Sequence, residues 1–594
     1  MTTVAQYIIK RLEKEVDHAF CSVGGAAIFL TDALKDTKIK PIFLLHEQAT
    51  AIAAEAYGQY SNRLGFLIVT AGPGVLNSLT GICAGYIDST PMIILSGQAN
   101  TNHLSDSQTR SIGIQEVKTA EIVKPITKAA FTIKCPQDVP NIIEKAILLA
   151  KSGRPGPVLI SIPLNMQTCE IDNIDIDWDV VDELDQPLMN WNMSTVQSII
   201  KRLQQAKKPA IFVGNGVRLS DNSCYQDGLT AISLLKSALE KLRIPILTTW
   251  RAMDLFTEDH PLYIGRPGMV GERGANTTLQ TCDFLLCLGT RLDLPSVAFD
   301  YSNFAPNAEK VIVDVDQAEL DKLAFEKTEV HEDAWIFLDK LNLYINNNNI
   351  TYENNEWLQL CKELHKQPIS TIHADINSTT LCLYELIEWI TPYLKDKVIA
   401  VGSSGSISEC FCQSFKVQEG CRIIQSNGLG SMGFGLPAAI GAHYASGKPV
   451  ICLDGDGSMA LNIQELQYIN DNNLPIYIII INNGGYVSIK NTQDNLCQGD
   501  RCGVDRGTGL SIPNYEKIAN AHNIHYDSFN PTMIGSGQVW KLYIEGYMDK
   551  ILAHNRPHIL EVFTDPNHKT QCRTTTTKQP DGSMKASGLE NLCQ

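Results

Sequence analysis

Short, unbroken apolar runs recur along this chain, and stretches of helical spacing separate them. Pro41 to Leu45 (PIFLL) is one run, Gly65 to Thr70 (GFLIVT) a second and Pro91 to Ser96 (PMIILS) a third. Ala49 to Tyr60 and Leu76 to Ile87 lie between them with helical periodicity. A strand that is apolar on both faces must be covered on both, and a helix between two such strands makes them parallel. The pattern therefore demands an α/β fold of doubly wound parallel sheets. It occurs in three blocks. The first closes on Gly156 to Pro163. The second carries runs at Pro209 to Val213, Pro245 to Thr249, Phe284 to Leu288 and Lys310 to Val315. The third carries Val398 to Val401, Arg422 to Gln425, Val450 to Leu453, Ile476 to Ile481 and His558 to Phe563. A chain of 594 residues holds three such units comfortably.

The expected units are an N-terminal domain at 1–168, a central α/β domain at 190–345 and a third domain at 376–563, with a polar tail at 564–594. The acidic stretch from Glu170 to Asp185 reads as an exposed linker, and a second linker is expected from Asn346 to about Ile376. No close internal repeat is visible. With 49 basic and 65 acidic residues the net charge is −16. Such a chain repels polyanions, which argues against nucleic-acid binding, while a small anion held through a metal and backbone amides remains open. The 17 cysteines show no paired CxxC spacing, so reduced thiols in a cytoplasmic protein are expected. MTTVAQYIIKRLEKEVDHAF reads as an amphipathic helix and not a signal peptide. The longest apolar runs are strand-sized, so no membrane span is expected.

Four constellations could carry chemistry. Gly455-Asp456-Gly457-Ser458 follows the run Val450 to Leu453, and Asn482-Asn483-Gly484-Gly485 follows Ile476 to Ile481. Parallel strands joined by a helix would bring both loops to one sheet edge. Asp456, Asn483 and a nearby carbonyl such as that of Gly485 would then be hard oxygen ligands suited to Mg²⁺, beside glycines that admit a diphosphate; two unrelated turns are the alternative. Glu47, in His46-Glu47-Gln48, stands where an apolar run meets a helix, as a capping carboxylate or as an acid/base group. Gly430-Ser431-Met432-Gly433 begins a small-residue helix start. Gly24-Gly25-Ala26 precedes another helix, where amides could face an anion or merely form a turn. In the central block, Gly214-Asn215-Gly216 and Gly289-Thr290-Arg291 are either the edges of a flavin or nucleotide site or ordinary strand-end turns.

Together with Thr70-Ala71-Gly72-Pro73-Gly74, Ser96-Gly97-Gln98, Gln115-Glu116, Gly428-Leu429-Gly430 and the tail Pro580-Asp581-Gly582 … Gly588-Leu589-Glu590, these residues give the chain its likeness. It resembles the thiamine-diphosphate-dependent 2-oxo acid enzymes, in particular the acetolactate synthase catalytic subunits, over nearly its whole length. The resemblance implies a pyrimidine-binding first domain, a central domain and a diphosphate-binding third domain. It also implies a homodimer or homotetramer with sites between subunits, and pyruvate as donor. Glu47 would bond the cofactor's pyrimidine ring, and Gly25 and Gln115 would line the reaction pocket. Gly72, Pro73, Asn77, Gly402, Ser403, Gly430, Met432, Gly455, Asp456, Gly457, Ser458, Asn483, Gly485 and Tyr486 would hold thiamine diphosphate. Asp456, Asn483 and Gly485 would bind its Mg²⁺, and FAD in the central domain is left open by the resemblance. The chain departs from the family at Ser22, where a tyrosine is usual, at Thr492, where acetolactate synthases carry a tryptophan, and over Asn102 to Ser111. Thr492 sets transfer of a two-carbon unit to a keto-sugar or aldehyde beside acetolactate synthesis; a non-catalytic binding or regulatory protein is the alternative of another class, and intact Glu47, Asp456 and Asn483 argue against it.

Overall fold

The computed structural model of the chain describes residues 2–106, 108–171, 193–220, 229–369, 379–534 and 537–590. Its framework is three six-stranded sheets, every strand pair in them parallel. The first contains β1 (His18–Cys21), β2 (Lys40–Phe43), β3 (Gly65–Val69), β4 (Met92–Gln98), β5 (Ala129–Thr132) and β6 (Pro157–Pro163), in the order β2-β1-β3-β4-β6-β5. The apolar runs at β3, β4 and β6 are buried along their whole length, as continuous hydrophobicity requires of strands covered on both faces. Helix α1 (Val4–Leu12) starts in a capping box of Thr3 and Gln6 and buries Val4, Ile8, Ile9 and Leu12. Helices α2 (Glu47–Ser61) and α3 (Pro73–Ile87) follow β2 and β3.

The middle sheet contains β7 (Pro209–Val213), β8 (Ile246–Thr248), β9 (Tyr263–Gly265), β10 (Phe284–Leu288), β11 (Glu309–Asp314) and β12 (Thr328–His331), in the order β9-β8-β7-β10-β11-β12. Part of the linker expected from Asn346 is helical instead. The helix Ala334–Asn347 runs through Asn346, and α4 (Asn355–His365) follows, started by the Asn354 side chain accepting from the Trp357 amide. Trp357, Leu358 and Cys361 are buried, and the Trp357 indole donates to the Pro209 carbonyl at 2.9 Å. Three buried apolar positions among polar neighbours made too faint a periodic signal. Residues 370–378 and most of the acidic stretch, 172–185, lie outside the described residues.

The third sheet contains β13 (Val398–Val401), β14 (Arg422–Ile424), β15 (Val450–Gly455), β16 (Ile476–Asn482), β17 (His525–Phe529) and β18 (His558–Phe563). Its order, β14-β13-β15-β16-β18-β17, repeats that of the first sheet. Here α5 (Gly435–Ser446), α6 (Glu465–Asp471) and α7 (Val487–Leu496) matter for the site. Helices α2 and α5 share one core. They approach so closely that a Cβ on Gly441 would lie 2.0 Å from the Ala53 carbonyl oxygen. Alanines at 49, 53 and 56 leave that face of α2 shallow enough for the approach, while Ala51 lies against Gly81 of α3 and Ala54 against Gly65 of β3. The tail turns back onto the middle unit. It forms a hairpin of Thr576–Lys578 with Met584–Ala586, Leu589 is buried, and Asn276 donates to the Leu589 carbonyl. Every cysteine among the described residues is free. No helix among them is long and apolar enough to cross a membrane.

Candidate active site

Two groups of residues collect at the carboxyl edges of the first and third sheets, where parallel α/β sheets present their loops. In the first sheet, Glu47 is the first residue of α2. The His46 ring nitrogen caps that helix by accepting from the Gln48 amide at 3.0 Å. Asn77, one turn into α3, donates to the Glu47 carboxylate at 3.1 Å. Gly72 takes a φ of +54°, and a Cβ there would lie 2.5 Å from the Gln115 carbonyl oxygen. The loop after β3 is thereby pressed against Gln115, itself at φ +57°. Glu116 folds the preceding segment by accepting from the Ser105 and Ile112 amides. A Cβ on Gly24 would collide with Thr70, while Gly25 and Gln115 are exposed. Glu47, Asn77, Gly72, Pro73, Gly25 and Gln115 therefore share one sheet edge.

In the third sheet β15 and β16 are paired neighbours, Val450 opposite Ile476 through Gly455 opposite Ile481. The loops that follow them meet. The Asp456 carboxylate accepts from the amides of Gly457 at 2.7 Å, Gly484 at 2.9 Å and Gly485 at 3.1 Å. Burial pushes the Asp456 carboxyl up to about 7, against the downward pull of those three donors. Asn483 Oδ1 is buried with no hydrogen-bond partner. A buried amide oxygen without a donor beside a carboxylate that is costly to ionise suits a divalent cation, which would satisfy both. Gly485, at φ +147°, is pinned beneath the strap at Val504, where a Cβ would lie 2.1 Å from the Val504 oxygen; the Tyr486 amide donates to that oxygen at 2.8 Å. The Gly485 carbonyl accepts from Val487 at 3.2 Å and keeps a second lone pair.

The remaining third-unit residues surround this pair. A Cβ on Gly457 would strike the Tyr486 ring. The Ser458 hydroxyl accepts from the Gly433 amide at 2.8 Å and Asn462 donates to the Gly433 carbonyl at 2.7 Å, which fixes the residue after Met432. The Ser403 hydroxyl accepts from Ser426, and Gly402 and Gly435 lie against the Asp454 side chain behind Gly455. A cavity of about 440 Å³ opens beside Gly430, between Leu79, Thr80 and Cys83 of α3, Ile126, and Leu429 and Ser431.

Three supports escaped sequence reasoning. Tyr515 donates its hydroxyl to the Asp456 carbonyl. The strap of Val504 and Asp505 covers the Gly485 turn. Glu465 of the third unit accepts from the Leu45 and His46 amides of the first. None has a motif, because each acts through chain segments far away in sequence. Among the described residues, the Glu47 carboxylate accepts from Asn77 in its own unit.

The central switch point between β7 and β10 is closed differently. A Cβ on Gly214 would lie 2.0 Å from the Gly289 oxygen, and the Gly216, Val217 and Arg218 amides bond to Gly289, Gly214 and Asn215. Three amides of Gly214-Asn215-Gly216 and the two residues after it are thus bonded within the loop pair that Gly214-Asn215-Gly216 forms with Gly289-Thr290-Arg291.

Comparison with known proteins agrees with this architecture. Residues 2–122 match the family model "Thiamine pyrophosphate enzyme, N-terminal TPP binding domain". Residues 196–341 match its central domain and 403–562 its C-terminal TPP binding domain. The chain is 32% identical to a probable acetolactate synthase large subunit of Methanocaldococcus jannaschii, over 95% of this chain and 92% of that protein. It is 29% identical to the acetolactate synthase large subunit of Lactococcus lactis, over 95% and 92% of the two chains. With the acetolactate synthase isozyme 2 large subunit of Escherichia coli it shares 28% identity over 99% of both.

Proposed function

Because the chain belongs to the thiamine pyrophosphate enzyme family, we propose that it works as an acetolactate synthase: it decarboxylates pyruvate and joins the remaining two-carbon unit to a second pyruvate. The observation that carries this reading is the match to an acetolactate synthase large subunit across 95% of the chain. Thiamine diphosphate, when bound, supplies the electron sink that a 2-oxo acid needs in order to lose CO₂. The protein's part is to bind, orient and move protons. Glu47 holds a proton at its carboxylate against the cofactor's pyrimidine ring, and Asn77 fixes the direction of that carboxylate. Asp456, Asn483 Oδ1 and the Gly485 carbonyl hold Mg²⁺ and with it the diphosphate; the unpaired Asn483 oxygen supports this. Gly402, Ser403, Gly430, Gly455, Gly457, Ser458 and Tyr486 surround the diphosphate, and Met432 braces the cofactor from its fixed turn. Gly25 and Gln115, exposed at the edge of the first sheet, border the substrate.

We place the active site between two copies of the chain, one giving Glu47 and the other Asp456, which is the arrangement the resemblance implies. Units at 1–168, 190–345 and 376–563 with the tail 564–594 describe the domains in this reading. Buried free thiols such as Cys410, Cys412 and Cys452 support a cytoplasmic setting. No step is assigned to a flavin.

The test is CO₂ release and acetolactate formation by purified protein given pyruvate, thiamine diphosphate and Mg²⁺. Glu47→Gln should lower turnover by roughly 10²–10⁴ with cofactor binding retained. Asp456→Asn should weaken Mg²⁺-dependent cofactor binding by more than roughly tenfold. Absence of acetolactate under these conditions would sink the reading.

A further inference from the structure

The turn that delivers Glu47 is held from another unit. Between the end of β2 at Phe43 and the start of α2 at Glu47, the chain has neither sheet nor helix partners for its amides. Strand β2 is an edge strand, so nothing of the first sheet lies beyond it. The donors are taken instead by the first residue of α6. Glu465 Oε2 accepts from the Leu45 amide at 3.2 Å and Oε1 from the His46 amide at 3.0 Å. Glu465 is 0% exposed, and both carboxylate oxygens are used on these two consecutive amides. It begins α6 only nine positions after Asp456, across the short helices Asp456–Met459 and Ala460–Asn462. His46 in turn caps α2 through its ring.

We propose that Glu465 is a positioning residue for the reaction: it fixes the backbone on which Glu47 stands and so sets where the Glu47 carboxylate meets the cofactor. The proposal rests on the role given to Glu47 above. A carboxylate accepting two consecutive amides is a two-point clamp that defines the orientation of the peptide planes as well as their distance. An amide side chain of the same shape keeps one acceptor and turns an N–H group against the other donor, so the clamp becomes a single bond. A residue that touches neither cofactor nor substrate then acts on the chemical step alone, since displacement of a catalytic group by about 1 Å costs roughly 100-fold.

The experiment compares Glu465→Gln, Glu465→Asp and Glu47→Gln in the full-length enzyme with thiamine diphosphate and Mg²⁺. Three quantities are read: cofactor affinity by calorimetry, the kcat and KM for pyruvate, and the rate at which the cofactor's thiazolium C2 proton exchanges with D₂O, by NMR after acid quench. For Glu465→Gln, kcat and C2-proton exchange are expected to fall together by roughly 10- to 100-fold, with KM and cofactor affinity changed less than about threefold. Glu465→Asp keeps the charge but withdraws it by one methylene, and gives the same pattern if the amide variant does not fold. Exchange and kcat within twofold of the parent in a folded Glu465 variant, while Glu47→Gln loses both, would overturn the proposal alone. Full exchange in Glu47→Gln would instead remove Glu47 from its role and the proposal with it. A fall in cofactor affinity as large as the fall in kcat would assign Glu465 to structure only and would also overturn it.

Discussion

Gly441→Ala tests whether the packing of α2 on α5 positions the catalytic edge of the first sheet. The added Cβ would lie 2.0 Å from the Ala53 carbonyl oxygen, whereas real Cβ atoms essentially never come within 3.0 Å of another heavy atom. The atom it meets is backbone, so no side chain can swing aside. The helices must therefore part by about 1 Å or more along a contact that runs through one shared core. Overpacking of this kind costs about 1–3 kcal/mol, offset in part by the gain of up to about 1 kcal/mol from replacing a helical glycine. For a unit of this size the net loss lowers Tm by roughly 3–8 °C. Glu47 opens the helix that must move, so a displacement of about 1 Å should lower kcat for pyruvate roughly 100-fold. Differential scanning fluorimetry and steady-state kinetics read the two effects. Gly546→Ala is the control: it lies in the helix Gly537–Ala553, nothing stands within 4 Å of its would-be Cβ, and a gain of about 0.5–1 kcal/mol is expected. If Gly441→Ala matches that control in Tm and kcat, the close helix contact does not position Glu47 and the argument is wrong.

Other expectations concern buried charge. Glu55 is fully buried at the junction of the units and accepts from Gln59 and Thr90; burial pushes its carboxyl up to about 7, though Arg251 pulls the other way. A carboxyl raised from 4.5 stabilises nothing at high pH. Its cost is absent below about 4.5, accrues as pH rises through that window to about 7, and then levels off at an order of 3 kcal/mol. Glu55→Gln should therefore raise Tm at pH 8 relative to the parent and leave it unchanged near pH 4.5; an equal shift at both would refute this. Asp254 joins the middle and third units through Arg218 and Arg422, and the Ile423 amide donates to it at 3.0 Å. Burial raises its carboxyl, but the two guanidiniums outweigh burial and hold it at about 2. Arg422 is itself lowered to about 10 by burial and by Arg218, because two cations share one carboxylate; the pull on Asp254 is the direction that decides, since it faces both. Its contribution is present above about 3.8 and lost as pH falls through about 2. Asp254→Ala leaves two buried cations unpaired and should cost about 3–5 kcal/mol in urea unfolding at pH 7; a loss below about 1 kcal/mol would contradict the clamp.

Much of the framework was legible because continuous apolar runs leave few choices. The strands at Pro209–Val213, Phe284–Leu288, Val398–Val401 and His558–Phe563 begin and end where the sequence pattern placed them, since each is flanked by residues that cannot extend a buried strand. In the three six-stranded sheets, the strands that escaped were His18–Cys21, Ala129–Thr132, Tyr263–Gly265, Thr328–His331 and His525–Phe529. All are short, and four lie at sheet edges, where one neighbour is missing and polar residues are tolerated. The GDGS and NNGG loops do end adjacent parallel strands, as the helix between the two runs suggested, but the sequence alone left two unrelated turns as the alternative.

What the sequence determined by itself is therefore local and periodic: parallel sheets, the loops that end their strands, and the residue types those loops offer. Only the tertiary structure decided what holds the loops in place. The clamp of Glu465 on Leu45 and His46 spans more than four hundred positions, the Val504 strap fixes Gly485 from beyond α7, and the central switch point binds the Gly216, Val217 and Arg218 amides to its own carbonyls. Such contacts leave no periodic trace, because they join single polar groups whose partners are chosen by the packing of whole units, and a buried donor or acceptor is satisfied by whichever group that packing brings within reach.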